Sequence, residues 1–199
     1  MPKVTGEYLR ERRDAILRAA MKLFAARGYA GTTMRMIGAE AGVSVGAISN
    51  YFPSKDGIIE ASSQMVADHY LVDDRLSLKP GESAAEYLSR LCVASEYDAD
   101  DGVDYSRVSV VTWGETMTSD QIRGTMVDVF HEVQVTIREQ LVDLQERGQL
   151  AADLDVEAAS VLIHALANGY MLHAQLLGEG PATPPADVLK ALLRPGSGV

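Results

Sequence analysis

Between Thr33 and Lys55 the chain reads TMRMIGAEAGVSVGAISNYFPSK, and its punctuation leaves few ways to fold. Ala41-Gly42-Val43-Ser44 has the make-up of a tight turn between two helices. Gly42 can take the positive φ that ends the first, Val43 fills the apolar gap, and Ser44 caps the second. The capped helix is expected from Val45 to about Phe52. Pro53 then breaks the chain, Ser54 offers a new cap, and Lys55 and Asp56 begin another helix. Two short helices at a fixed angle and a third departing make a helix-turn-helix with its exit helix.

Charge is divided along the chain in a way that suits this motif. The net charge of -10 argues, taken whole, against a nucleic-acid binder. Residues 1–55, however, hold nine basic side chains (Lys3, Arg10, Arg12, Arg13, Arg18, Lys22, Arg27, Arg35, Lys55) against four acidic ones (Glu7, Glu11, Asp14, Glu40). The other 144 residues hold nine basic and 24 acidic. A basic quarter on an acidic body steers one face to phosphate while the remainder is repelled from it.

At 199 residues and 47% hydrophobic content the chain can bury one or two cores. It has no run of about 18 apolar residues and no apolar signal segment in MPKVTGEYLRERRDA, so a cytoplasmic protein is expected. Cys92 is the sole cysteine, which excludes an intramolecular disulfide and a cysteine-based zinc cluster.

Taken in order, the chain predicts an all-α protein. After a polar arm, a helix over 10–27 carries Ile16, Ala19, Ala20, Leu23 and Phe24 on one face. Thr32 and Thr33 are cap candidates for a helix over 34–41. Beyond the motif, helices are expected over 58–76, 84–97, 105–117, 119–147, 155–177 and 186–193. The stretch 105–117 has strand-like Val108, Val110, Val111 and Trp113 but no hairpin turn or partner strand. Two domains follow: residues 1–55 with the arm and helix-turn-helix, and residues 56–199 as a helical body.

In a helix-turn-helix the second helix enters the major groove with its N-terminal residues at base edges. Val45 and Ala47 suit thymine methyl groups, and Asn50 can pair bidentately with adenine. Gly46 allows close approach of the backbone. Ser49 and Tyr51 offer hydroxyls, Lys55 and its helix start offer a phosphate clamp, and Thr33 and Arg35 lie at the start of the preceding helix. Ser44 also fits a plain cap, Tyr51 a core residue, and Lys55 a solvated charge.

Gly28-Tyr29, Thr32-Thr33, Ile37, Ala41-Gly42-Val43-Ser44, Gly46, Ile48, Tyr51-Phe52 and Lys55 together resemble the DNA-binding domain of the TetR (tetracycline-repressor-like) family of transcriptional regulators. The likeness covers residues 10–58. The body, with Trp113 and a late helix containing Gly169, is similar to the betaine-regulator type of C-terminal half. Ser49 departs from the family pattern, which usually has an aromatic residue there. The resemblance implies a homodimer through the helices 155–177 and 186–193, an inverted-repeat operator in double-stranded DNA, and release by a small-molecule effector. Candidate effector contacts are Tyr87, Trp113, Met117, Phe130 and Tyr170, each of which also fits plain core.

Neither a nucleophile elbow, a phosphate-loop glycine pattern nor metal-spaced ligands occur, so neither catalysis nor a cofactor is expected. His131, His164 and His173 are not spaced to place two ligands on one helical turn. Ser49 leaves open a helical ligand-binding or protein-interaction module that has lost sequence-specific DNA recognition.

Overall fold

The computed structural model describes residues 6–72, 76–92 and 102–177. These form eight helices and no strand: α1 (Gly6–Arg27), α2 (Met34–Glu40), α3 (Val45–Ser49), α4 (Lys55–Val72), α5 (Ala84–Cys92), α6 (Tyr105–Glu115), α7 (Asp120–Glu146) and α8 (Val156–Leu177). The expected helix 186–193 and the extension of α5 to residue 97 lie outside the described residues. No described helix is long and apolar enough to cross a membrane.

The described chain forms two compact units. The first is drawn from Met1–Ala67 and Tyr97–Val129, the second from Asp68–Glu96 and Phe130–Val199. The boundary expected between residues 55 and 56 therefore does not coincide with the packing. Its physical reason is the core of the first unit, where Ile58 and Ile59 of α4 and Ile122 of α7 are buried with Ile16, Leu17 and Phe24 of α1 and Ile37, Ile48 and Phe52 of the motif. In this unit α1 packs against both α2 and α6. Helix α6 keeps its helical form despite its valines because Asp104 caps it, accepting from the Arg107 amide at 2.8 Å, and because Val108 and Thr112 are buried.

In the second unit Tyr87, Leu88 and Leu91 of α5 meet Val133, Ile137, Leu141 and Leu144 of α7, with Val156, Ala159 and Ile163 of α8 at the edge. The 4-4-3 spacing of the α7 residues is one face of a helix. Two glutamines close the loops around this core: Gln140 accepts from the Leu78 amide at 2.9 Å and Gln149 from the Ala84 amide at 2.8 Å. Arg90 donates to both Glu82 carboxylate oxygens and to the Ser77 carbonyl, and Glu82 is held below the usual carboxylate range chiefly by that hydrogen bond.

Within the motif the caps follow from the residue types. Thr33 Oγ1 accepts from the Met36 amide at 3.3 Å, Ser44 Oγ from Ala47 at 3.1 Å, and Ser54 Oγ from Gly57 at 3.1 Å. Thr32 is buried and donates to the Gly28 carbonyl instead, so it is no cap. Helix α3 ends at Ser49 rather than near Phe52, and α4 starts at Lys55, as expected of a helix capped by Ser54. Gly42 takes φ +66°. Gly38 is needed for a different reason: a Cβ there would stand 2.7 Å from the Val43 carbonyl oxygen. Gly38→Ala is therefore expected to lower unfolding free energy by about 1–3 kcal/mol through overpacking, seen as an earlier urea midpoint at unchanged slope.

Candidate nucleic-acid interface

The residues expected to face DNA fall into two groups. Val45, 41% exposed, opens α3 and stands next to exposed Gly46, half-buried Ala47, and exposed Ser49 and Asn50. Ile48, between them, is wholly buried in the core. One face of a single turn and a half thus anchors α3 while the other presents Val45, Ser49 and Asn50 to solvent. Ser44 is both exposed and engaged as the cap, and Ser49 Oγ donates back to the Val45 carbonyl at 3.1 Å. Thr33 and Arg35, at the start of α2, are exposed. Tyr51 is half-buried against the core. A Cβ on Gly46 would meet nothing closer than Ser44 Oγ at 3.9 Å, so the fold itself does not demand glycine there.

Lys55 is placed differently from the phosphate clamp expected of it. Its Nζ donates to the Tyr29 carbonyl at 2.8 Å and the Thr32 carbonyl at 3.0 Å, and lies 3.9 Å from the Tyr29 ring centroid. Tyr29 Oη in turn donates to the Asp56 carboxylate. Burial, then the hydrogen bond to Asp56, raise the Tyr29 pKa, so the phenol keeps the proton that makes this bond. The first two residues of α4 are thereby fastened to the turn between α1 and α2. This latch was not legible as such in the sequence, although Gly28-Tyr29 and Lys55 were both singled out.

Arginines also sort by location. Away from α1 and α2, Arg90 pairs with Glu82, Arg138 with Glu157 and Arg147 with Asp143, and in the first unit Arg123 of α7 pairs with Asp120. Among the described residues Arg10, Arg12, Arg13, Arg18, Arg27 and Arg35 make no ion pair, which leaves six uncompensated guanidinium groups on α1 and α2. Arg13 lies 5.0 Å over the Phe52 ring.

The expected effector contacts are divided between the two units and differ in burial. Tyr87 is fully buried with its hydroxyl donating to the Leu76 carbonyl at 2.9 Å, which makes it core of the second unit. Met117, in the first unit, is 85% exposed. Trp113 is half-buried in the first unit, and Phe130 and Tyr170 are half-buried in the second. Phe130 lies edge-on to His164, 4.7 Å between ring centres, and burial pushes the His164 pKa down to about 4. Among the described residues no three His, Cys, Asp or Glu converge as metal ligands.

Residues 16–62 match the family of bacterial regulatory proteins of the tetR type, and residues 84–194 match the C-terminal domain of BetI-type transcriptional repressors. The chain belongs to the TetR family of transcriptional regulators. It is 45% identical over 64 residues to the HTH-type transcriptional regulator HbdR of Aromatoleum sp., a match covering 32% of this chain and 28% of HbdR. It is 31% identical over 128 residues to BetI of Paraburkholderia xenovorans, covering 62% of this chain and 63% of that one. Both alignments thus span less than two thirds of the relative. The structure of Salmonella enterica GusR superposes with a TM-score of 0.78 over 96% of each chain at 24% identity, which shows a shared fold. As a TetR-family protein the chain is a DNA-binding transcriptional regulator, and the relatives it matches are regulators, not enzymes.

In this regulator the latch is a stability element before it is a DNA contact. Lys55→Met is expected to reduce unfolding free energy by about 1–3 kcal/mol, since two carbonyls lose a charged donor. Chemical denaturation in the absence of DNA measures this, and a lysine serving only as a phosphate clamp would leave it unchanged.

Proposed function

We propose that the protein is a repressor that binds an inverted-repeat operator as a homodimer and is released when a small molecule binds its helical body. The observation that carries this reading is the division of α3: Ile48 holds the helix to the core while Val45, Gly46 and Asn50 face outward under a capped N-terminus. In the major groove Asn50 would read adenine, Val45 and Ala47 thymine methyls, and glycine at 46 would admit the duplex edge. That the fold leaves room for a side chain at Gly46 supports a reason outside the fold for its absence. Thr33, Arg35, Ser44, Ser49 and Tyr51 would add backbone contacts, with Lys55 positioning α4 and keeping one N–H for phosphate.

Dimerisation is supported by α8, where Leu162 (70% exposed), Leu166, Leu172 and Leu176 (73% exposed) leave an apolar face uncovered in the single chain. This face, with residues 186–193, would meet its symmetry mate and set two reading heads at operator spacing. A cytoplasmic location follows from a chromosomal target. For the effector, Trp113, Phe130 and Tyr170 retain surface to give to a ligand, whereas Tyr87 does not. Ligand and DNA would disfavour one another by the same factor, commonly ~1–3 kcal/mol of coupling.

Selection of bound duplexes from a random pool, run in parallel on wild type and Asn50→Ala, tests the reading. An enriched inverted repeat whose preference relaxes at one position in the variant is expected, with discrimination there falling by about 1–3 kcal/mol. No enrichment by ligand-stripped wild type would remove sequence-specific DNA binding from the account. Gly46→Ala is expected to keep wild-type stability in the same preparations and to weaken binding to the enriched duplex.

A further inference from the structure

Resting on the DNA-binding reading, we infer that Arg13 of α1, with Arg10 one turn ahead of it, is a pre-set phosphate clamp on the flank of the recognition helix. The face of α1 that enters the core of the first unit runs through Phe24, Ala20 and Leu17. Continued toward the N-terminus at the same alternation of three and four residues, that stripe reaches Arg13, Arg10 and Gly6. The side of the helix that packs against the motif thus changes from apolar to cationic where the core ends, and no carboxylate of α1 falls in the stripe.

Arg13 is fixed at that boundary by Phe52. Its guanidinium carbon lies 5.0 Å over the Phe52 ring, which is 3% exposed and sits two residues past Asn50. A cation over a ring face keeps its charge and its N–H edge, unlike one paired with a carboxylate. Arg13 is exposed, and neither it nor Arg10 has an ion-pair partner among the described residues. The stack orients the planar fork beside the C-terminal end of α3 before DNA arrives. An anion with oxygens to match the fork, at the border of a groove that α3 occupies, is a backbone phosphate of the duplex. The contact carries no sequence information, so it adds affinity equally on all duplexes and extends the footprint beyond the bases that α3 reads.

The test measures binding of the full chain to an enriched duplex and to an unrelated duplex across a salt series, for wild type, Arg13→Ala, Arg13→Lys and Arg147→Ala. Arg13→Ala should weaken both duplexes by a similar factor, about tenfold at low salt, and lower the log–log salt slope by about one. Arg13→Lys should recover the slope and only part of the affinity, because lysine keeps the charge without the fork. Arg147→Ala, which removes a charge from the second unit, should match wild type. Wild-type affinity and slope for Arg13→Ala, or a loss that Arg147→Ala shares, would overturn the inference. A loss confined to the enriched duplex would also overturn it, since that would be base readout. Thermal midpoints without DNA check the fold. If Arg13→Ala proves unstable, Arg13→Lys and Arg10→Ala decide, and a wild-type slope and affinity in both then count against the clamp. Failure of wild type to bind either duplex would instead overturn the DNA-binding reading, and the clamp with it.

Discussion

One ammonium group holds the reading head together. Lys55 Nζ is shared between the Tyr29 and Thr32 carbonyls, so the end of the α1–α2 turn and the start of α4 are fastened at a point that neither helix's own hydrogen bonds would fix. Those carbonyls lie just ahead of Thr33, the residue that caps α2. The geometry of α2, and of α3 packed against it, is referred to α4 through this contact. Helix α4 begins at the latch, so its first turn and the motif share one fixed point. A salt bridge in the same place would have used the charge on a carboxylate. Here neutral carbonyls take it, and residues 1–55 keep their nine basic side chains against four acidic ones.

That balance is as deliberate in its pairing as in its count. Side chains of the second unit answer arginine with carboxylate, through Glu82, Asp143 and Glu157. On α1 and α2 the arginines are left unanswered among the described residues. Exposed ion pairs contribute little to stability, so their absence on α1 and α2 removes little from the fold while leaving charge for a polyanion. The aromatic ring of Phe52 serves the same end, orienting Arg13 without neutralising it.

Much of this was legible in the residues. Ser44 and Thr33 as caps, Gly42 at positive φ, Pro53-Ser54 as the break and the helical periods of α1 and α7 rest on local chemistry, which a sequence states directly. What a sequence does not state is which distant group a side chain meets. Lys55 reads as a phosphate ligand, and nothing in the sequence shows that the Tyr29 carbonyl, 26 residues away, takes one of its donors. Tyr87 reads as a ligand contact until its hydroxyl is seen on Leu76. Gly38 looks like an ordinary glycine in a helix, although the Val43 carbonyl excludes any Cβ there. The division between residues 55 and 56 followed the helix start, whereas packing follows Ile58 and Ile59 into the first core. Most of these concern which group a side chain meets in space, whereas caps, breaks and periods are written locally.

Central to the account is a symmetric pair of reading heads, each placing α3 in a major groove. Hydroxyl-radical footprinting of the full chain on its enriched duplex tests this most directly. Two protected patches related by a dyad, with centres one helical turn (~34 Å) or a multiple apart, are the predicted result. A single protected patch, or even protection without a dyad along the whole duplex, would contradict it.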